Sequence, residues 1–132
     1  MFFRVANDTI SNARKTMYIA PKVGVEVDDY GNEIVLYGKP FTFGKVNYQP
    51  MTWKSLQSYM SVYGETKNDV VQCLIDYKDI GKIKDFDRAY LYGATPNGEE
   101  IYGQNANYEV KACRKQNTKV MVILEEIIKE EI

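Results

Sequence analysis

The chain has 132 residues, with 17 basic and 18 acidic side chains, a formal net charge of −1 and a hydrophobic content of 45%. This size predicts a single domain over residues 1–132 with its own apolar core. The balanced charge gives no overall field that would attract nucleic acid or an anionic membrane, and the lack of histidine excludes Ser-His-Asp triads and histidine-containing zinc sites.

The first fifty residues are predicted to form β structure, apart from a short helical turn or irregular arm at residues 8–14. The run at residues 15–20 ends at Pro21 and has the pattern of an edge strand. Three valines at alternate positions then precede a turn at residues 28–32, and an apolar run follows it, which predicts a β-hairpin. The last predicted strands of this part are residues 33–37 and residues 41–48.

One α-helix is predicted after Pro50. Thr52 can cap its first turn, and Gly64 offers the left-handed conformation that commonly ends a helix. Between them, bulky apolar side chains recur at helical spacing and form a stripe that we expect to face the core. The members of this stripe are Trp53, Leu56, Met60 and Tyr63.

The rest of the chain is predicted to return to β structure. A charged connector at residues 78–85 and a polar loop at residues 93–105 separate its strands, and the loop contains the Gly, Pro and Asn residues that turns require. Residues 119–124 are apolar on both faces, as in a strand that is covered on both sides. The other predicted strands are residues 70–77, residues 87–92 and residues 106–114.

The strand at residues 106–114 shows the clearest alternation. Successive side chains of a strand point to opposite faces. One face carries Tyr108, Val110 and Ala112 and the other carries Glu109, Lys111 and Cys113, which is the pattern of a half-buried antiparallel strand. Together, these elements predict a mainly β protein, a small antiparallel β-barrel or sandwich with one inserted α-helix.

Tyrosine and cysteine are the informative residue types. Eleven tyrosines indicate a β-rich protein with surfaces that bind other proteins, because tyrosine favours strands and is enriched at interfaces as well as in β-barrel cores. Cys73 and Cys113 each fall inside a predicted strand, which favours two reduced, buried thiols over a disulfide.

No motif for catalysis, cofactor binding or metal binding is recognisable. The phosphate-binding patterns GxxxxGK[ST] and GxGxxG do not occur, and two isolated cysteines cannot form zinc half-sites. Residues 76–81 faintly resemble a calcium loop, but Lys78 stands where an oxygen ligand belongs. Adjacent carboxylates in the predicted turns point apart, which suits solvent better than shared acid-base catalysis. We therefore expect no enzyme activity, no cofactor and no metal.

A basic and aromatic cluster supports an alternative function, that of a small β-barrel nucleic-acid-binding protein. Oligonucleotide-binding barrels combine aromatic side chains that stack on bases with cations that face phosphates. The cluster, predicted to lie on one sheet edge, is Lys82, Lys84, Arg88, Tyr90 and Tyr92. Acidic residues interleaved with it cancel much of its attraction for phosphate. These are Asp79, Asp85 and Asp87.

A family resemblance rests on residues 63–124. Its elements are Tyr63-Gly64-Glu65, Phe86-Asp87-Arg88-Ala89-Tyr90-Leu91, Gly103-x-Asn105-Ala106-Asn107-Tyr108-x-Val110 and Arg114-x-Gln116-Asn117 before an apolar β run. In order and spacing, this pattern resembles the head-completion proteins of long-tailed bacteriophages, which are also called head closure, stopper or head-tail connector proteins. Proteins of that family are β-barrel subunits that form a ring beneath the portal.

The resemblance implies a structural virion protein at the head-tail interface. It would dock below the portal or its adaptor ring protein, help to retain packaged DNA and provide the surface for tail attachment, with a tail-end ring protein as an open alternative. The resemblance also implies self-association into a ring in the virion and transient non-specific contact with packaged DNA. No stretch of the sequence approaches the length needed to span a bilayer, so we expect no membrane partner.

Assembly in the bacterial host cytoplasm is implied as well, and isolated subunits can remain monomeric until a partner ring is present. Residues in the predicted loops are the candidates for contact with DNA or with partner proteins. These are Asp28, Asp29, Tyr30, Asn32, Tyr92, Asn97, Glu99 and Tyr102.

Overall fold

A computed structural model describes residues 14–99, 101–116 and 118–127. Within these ranges lie the strands β1 Arg14–Ala20, β2 Lys22–Val27, β3 Glu33–Tyr37, β4 Phe41–Pro50, β5 Val70–Asp76, β6 Arg88–Tyr90, β7 Tyr108–Gln116 and β8 Lys119–Glu126. The helix α1, Trp53–Tyr63, connects β4 to β5, and a short 3₁₀ turn, Tyr77–Asp79, follows β5. The arm predicted at residues 8–14 lies outside the described residues, except for Arg14.

Six strands pair in an antiparallel cycle, in the order β1-β4-β5-β8-β7-β6, and β6 pairs again with β1. The seams at β6 are short, with three residue pairs to β1 and two to β7. The mainly β class with one helix is confirmed. Of the two predicted architectures, this cyclic pairing is that of a barrel, which leaves no free edge among the six described strands.

Apolar side chains from all six strands fill the barrel. Because full burial of one such side chain stabilises a fold by about 1.5–3 kcal/mol, this cluster is the main source of stability. Its members on the strands are Met17, Ile19, Val46, Tyr48, Val71, Cys73, Ile75, Ala89, Tyr108, Val110, Val120, Val122 and Leu124.

β8 is covered on both faces, as its apolar pattern predicts. Val120, Val122 and Leu124 belong to the barrel core. Ile123, on the other face, belongs to a second cluster that includes Tyr59 of α1. The helix therefore covers the outside of the barrel over β8.

A β-bulge in β7 reverses the faces of the residues that follow it. Val110 and Ala112 pair with consecutive residues of β8, so Lys111 between them is an extra residue. Tyr108 and Val110 face the barrel interior as predicted, but Ala112 lies in the cluster beneath α1 and Cys113 packs against the barrel core. The predicted faces of Ala112 and Cys113 were wrong, because a strict alternation does not anticipate an inserted residue.

The ends of α1 are set by the two residues that the sequence predicts. Thr52 Oγ1 accepts a hydrogen bond from the Ser55 N–H at 3.2 Å. Gly64, with a φ of 91°, donates its N–H to the Met60 carbonyl at 2.8 Å. No helix in the described part of the chain is long and apolar enough to cross a lipid bilayer.

The buried face of α1 differs from the predicted one. Tyr59 is buried, with Leu56 packed against the same cluster, whereas Trp53 is 68% exposed and Tyr63 is 45% exposed. At 3.6 residues per turn, Trp53 lies about 120° around the helix from Tyr59 and cannot share its buried face. The inward stripe was therefore predicted wrongly for Trp53, whereas Tyr63 stacks on the Tyr59 ring at 4.8 Å and is only half-buried.

β1 and β6 are both interior strands. β1 pairs with β4 on one side and with β6 on the other, so its prediction as an edge strand was wrong. The proline that suggested an edge, Pro21, follows the last paired residue of β1 and therefore removes no hydrogen bond from the sheet.

Candidate functional site

The hairpin formed by β2 and β3 is the candidate binding surface, because it exposes six apolar side chains. It is a two-stranded sheet separate from the barrel. Its apolar side chains are between 37% and 66% exposed; they are Val23, Val25, Val27, Ile34, Val35 and Leu36. An isolated two-stranded hairpin is marginally stable in water, so exposed apolar side chains here are costly unless another surface covers them.

Both faces of this hairpin are apolar. Directly paired residues of an antiparallel sheet share a face, and Val25 pairs with Val35. Val27, two residues from Val25, lies on the same face, and we call these three residues the valine face. Ile34 and Leu36 lie on the opposite face, because they alternate with Val35 along β3.

Asp28 organises the turn at the tip of the hairpin. Its Oδ1 accepts hydrogen bonds from the backbone N–H of Tyr30 at 2.9 Å and of Asn32 at 2.8 Å. These bonds, with that from Asn32 as the largest cause, lower the pKa of Asp28 below its usual value. The predicted contact residues Asp28, Asp29, Tyr30 and Asn32 are thus together in one turn, with Tyr30 90% exposed.

The other four predicted contact residues lie elsewhere. The Tyr92 N–H donates to Tyr48 Oη at 2.7 Å, and the two rings meet edge to face at 5.0 Å, so Tyr92 closes one end of the barrel core. Asn97 Oδ1 accepts the Glu99 N–H at 3.0 Å in an exposed turn. Tyr102 is 48% exposed in the same loop.

The structure does not bring the four residues of the hairpin turn and the other four predicted contact residues into one site. The loop at residues 93–105 packs at the root of the hairpin, where Arg88 lies over the Tyr37 ring at 4.8 Å and donates to the Gly103 carbonyl at 3.2 Å. The turn at residues 28–32 lies at the other end of β3. At 3.4 Å per residue, Asn32 is about 17 Å from Tyr37.

The basic and aromatic cluster does not form the predicted surface. Tyr90 is fully buried and therefore cannot stack on a base. The guanidinium of Arg88 lies against Tyr37, and Lys82 Nζ is 2.9 Å from Asp79 Oδ1. The prediction of a shared sheet edge was wrong because β6 has a paired strand on each side.

A buried carboxylate, Asp87, fixes the base of the hairpin. It is 2% exposed, and its two oxygens accept the backbone N–H groups of Lys22 and Lys84, each at 2.9 Å. Lys22 is the first residue of β2, so this side chain joins the hairpin to the turn before β6. The prediction of Asp87 as a surface acid was wrong, since nothing in its sequence neighbours indicates this long-range contact.

The apolar flanks of the hairpin were not singled out from the sequence either. A signal was present, because Ile34, Val35 and Leu36 are consecutive and apolar, the pattern of a strand covered on both faces. Their exposure shows that the described residues provide no such cover.

The two cysteines are free, as predicted, although Cys113 is only partly buried. Both pair with Val122, from opposite sides of β8. Two strand spacings place their Cα atoms about 9–10 Å apart, beyond the reach of a disulfide. Burial is the main cause that raises the pKa of Cys73 to about 12 and of Cys113 to about 11.

We expect the fold to lose stability at alkaline pH because of the buried thiol of Cys73. Folding raises the pKa of this thiol above its unfolded value of about 8.5–9. The stability of the fold is therefore unchanged below that pH and falls as the pH rises towards the folded pKa. In that window, Cys73 alone should reduce the free energy of unfolding by about 1.4 kcal/mol per pH unit. Urea denaturation at a series of pH values between about 8 and about 10.5 measures this slope.

Labelling provides an independent check of the same thiol. At about pH 8, Cys73 should react at least about 100-fold more slowly in native buffer than in denaturant, because the thiolate is the reacting species. Equal rates, or a disulfide between Cys73 and Cys113 in the mass spectrum, would contradict the buried placement.

Comparison with known proteins provides no family for this chain. No protein-family model, no curated protein and no solved structure matches it. Its function must therefore be inferred from the exposed hairpin, from the partners of its charged groups and from the sequence pattern at residues 63–124.

Proposed function

We propose that the protein is a structural subunit of a bacteriophage head-tail connector, a head-completion or stopper ring protein. The observation that carries this proposal is the β2–β3 hairpin, which exposes apolar side chains on both faces beside a barrel whose strands are all paired. The resemblance at residues 63–124 suggests which kind of ring the subunit builds.

Assembly accounts for the properties of the hairpin. Its outer edges carry backbone N–H and C=O groups without a strand partner among the described residues, and such edges readily pair with or pack on another chain. Soluble monomers rarely expose contiguous apolar patches of more than a few hundred Å². A ring of identical subunits covers the same patch on every copy.

The loop at residues 93–105 is the second proposed contact region. Ile101 is 77% exposed and Tyr102 is 48% exposed, and both lie beside the polar turn that contains Asn97. We assign this loop to contact with a neighbouring ring, the portal or adaptor on one side or the tail-end protein on the other.

The partners of the acidic groups support a structural role over a catalytic one. Asp76 pairs with Lys119, Asp79 pairs with Lys82, and Asp87 accepts two backbone N–H groups. Each of these carboxylates thus has a cationic or backbone partner, and none of the three is paired with a second carboxylate as in glycoside hydrolysis.

The proposal is tested in the phage or prophage that encodes the protein. Electron microscopy of labelled particles should find it as a symmetric ring at the portal vertex, after assembly in the host cytoplasm. Deleting the gene should leave DNA-filled heads that lose DNA or cannot acquire tails, and the wild-type gene supplied in trans should restore infectious particles. Normal tailed particles without the protein would overturn the proposal.

A further inference from the structure

The hairpin and α1 lie on opposite sides of the barrel. In the six-strand cycle, β8 is three positions from β1 in either direction. The hairpin begins directly after β1, where the Gly38 N–H donates to the Pro21 carbonyl at 2.7 Å. The helix packs over β8, through Tyr59 and Ile123.

A groove runs beside α1, between the helix and the outer faces of β5, β7 and β8. Its apolar lining includes Met51, Tyr59, Met121 and Ile123. The charged side chains that line it, within the described part of the chain, are Lys54 and Arg114, and both are cationic. The groove is therefore apolar at its base and positively charged at its rim.

The hairpin carries the complementary combination. Residues 23–36 contain four acidic side chains and no lysine or arginine, which gives this segment a formal charge of −4. The acidic residues are Glu26, Asp28, Asp29 and Glu33. An apolar, acidic hairpin and an apolar, basic groove thus occur on opposite sides of the same chain.

We propose that the valine face of one subunit docks in the α1 groove of the next copy of this chain. Because the two surfaces differ and lie on opposite sides, the contact is head-to-tail, the type of interface that closes identical subunits into a ring. The charges at the rim favour this register and disfavour groove-to-groove or hairpin-to-hairpin contacts. This inference deepens the proposed function and rests on it for the position of the ring in the particle.

A photo-crosslinking experiment on the purified full-length chain tests the contact. Benzoyl-phenylalanine replaces Val25, and the control places it at Asn97 in the exposed turn of the other loop. At about 1 mM protein, a concentration that detects a weak interface, the Val25 probe should give at least about tenfold more covalent dimer and higher oligomers. Peptide mapping should place the cross-link near Met121 or Ile123 of a second copy.

Charge reversal tests the register of the contact. Lys54→Glu with Arg114→Glu should reduce the cross-link yield by about tenfold. Adding Asp29→Lys with Glu33→Lys should recover part of it, since residues 23–36 then carry no net charge. All four positions are exposed, and circular dichroism of each variant verifies that the fold is retained.

The inference is overturned if the Val25 probe gives no intermolecular product at this concentration, if its products map outside the groove, or if charge reversal leaves the yield unchanged. These results are separable from a failure of the proposed function. Mapped cross-links in a protein that is absent from phage particles would overturn the connector role alone. A portal-vertex ring whose hairpin cross-links map elsewhere would overturn the docking contact alone.

Discussion

Replacing Asp87 with alanine should lower the free energy of unfolding by about 2–4 kcal/mol, although the side chain is small and polar. The carboxylate accepts the N–H groups of Lys22 and Lys84, and hydrogen bonds to a charged partner contribute about 1.5–3 kcal/mol each. Alanine removes both acceptors and leaves both donors without a partner at the junction of the hairpin and the barrel. Urea denaturation followed by circular dichroism measures the loss.

Asp85→Ala is the matched control, because Asp85 is exposed two residues earlier in the same turn. Its effect should stay within about 0.5 kcal/mol. Hydrogen exchange should also accelerate in the hairpin of the Asp87→Ala variant before it does so in β8, since Asp87 holds the first residue of β2. Equal stability of the two variants would show that Asp87 does not anchor the hairpin.

Local chemistry was sufficient to predict the two ends of α1. Thr52 and Gly64 set the ends of α1 through bonds that reach only three or four residues along the chain. The acidic turn after β2 was equally predictable, because Asp28 accepts hydrogen bonds from Tyr30 and Asn32 within the turn itself.

Features that depend on distant partners were not predictable in the same way. The bulge at Lys111 exists only in relation to β8, and the burial of Asp87 depends on Lys22, which is 65 residues away. For the candidate site, the sequence identified the polar tip of the hairpin but not its apolar flanks. An apolar strand such as β3 indicates that something covers it, without indicating whether the cover is the same chain or another.

Tyrosine is typical both of binding surfaces and of β-barrel cores, and several tyrosines of this chain lie in the barrel core. Tyr48, Tyr90 and Tyr108 are buried, and the hydroxyl of each makes a hydrogen bond. Tyr90 Oη accepts the Gly103 N–H at 3.2 Å, and Tyr108 Oη donates to an Asp69 oxygen at 2.6 Å. Burial, followed by this bond to Asp69, raises the pKa of Tyr108. A tyrosine suits these positions because its ring fills the core while its hydroxyl satisfies a polar group near the end of the barrel.

Two aromatic residues of α1 provide the sharpest test of the face on which the helix packs. Tyr59→Ala should cost about 3–5 kcal/mol of stability, because it removes a buried ring that packs with Val70, Ala112 and Ile123. Trp53→Ala removes a larger ring but should change stability by less than about 0.5 kcal/mol, since that side chain is 68% exposed.

Tyr59→Phe separates the ring from its hydroxyl. The Tyr59 hydroxyl donates to Glu125 Oε1 at 2.8 Å, and its loss alone should cost about 1 kcal/mol. Urea denaturation of the three variants should therefore rank Tyr59→Ala far below Tyr59→Phe, with Trp53→Ala close to the wild type. If Trp53→Ala were instead the most damaging change, the helix would be rotated by about a third of a turn, and the stripe predicted from the sequence would be the correct one.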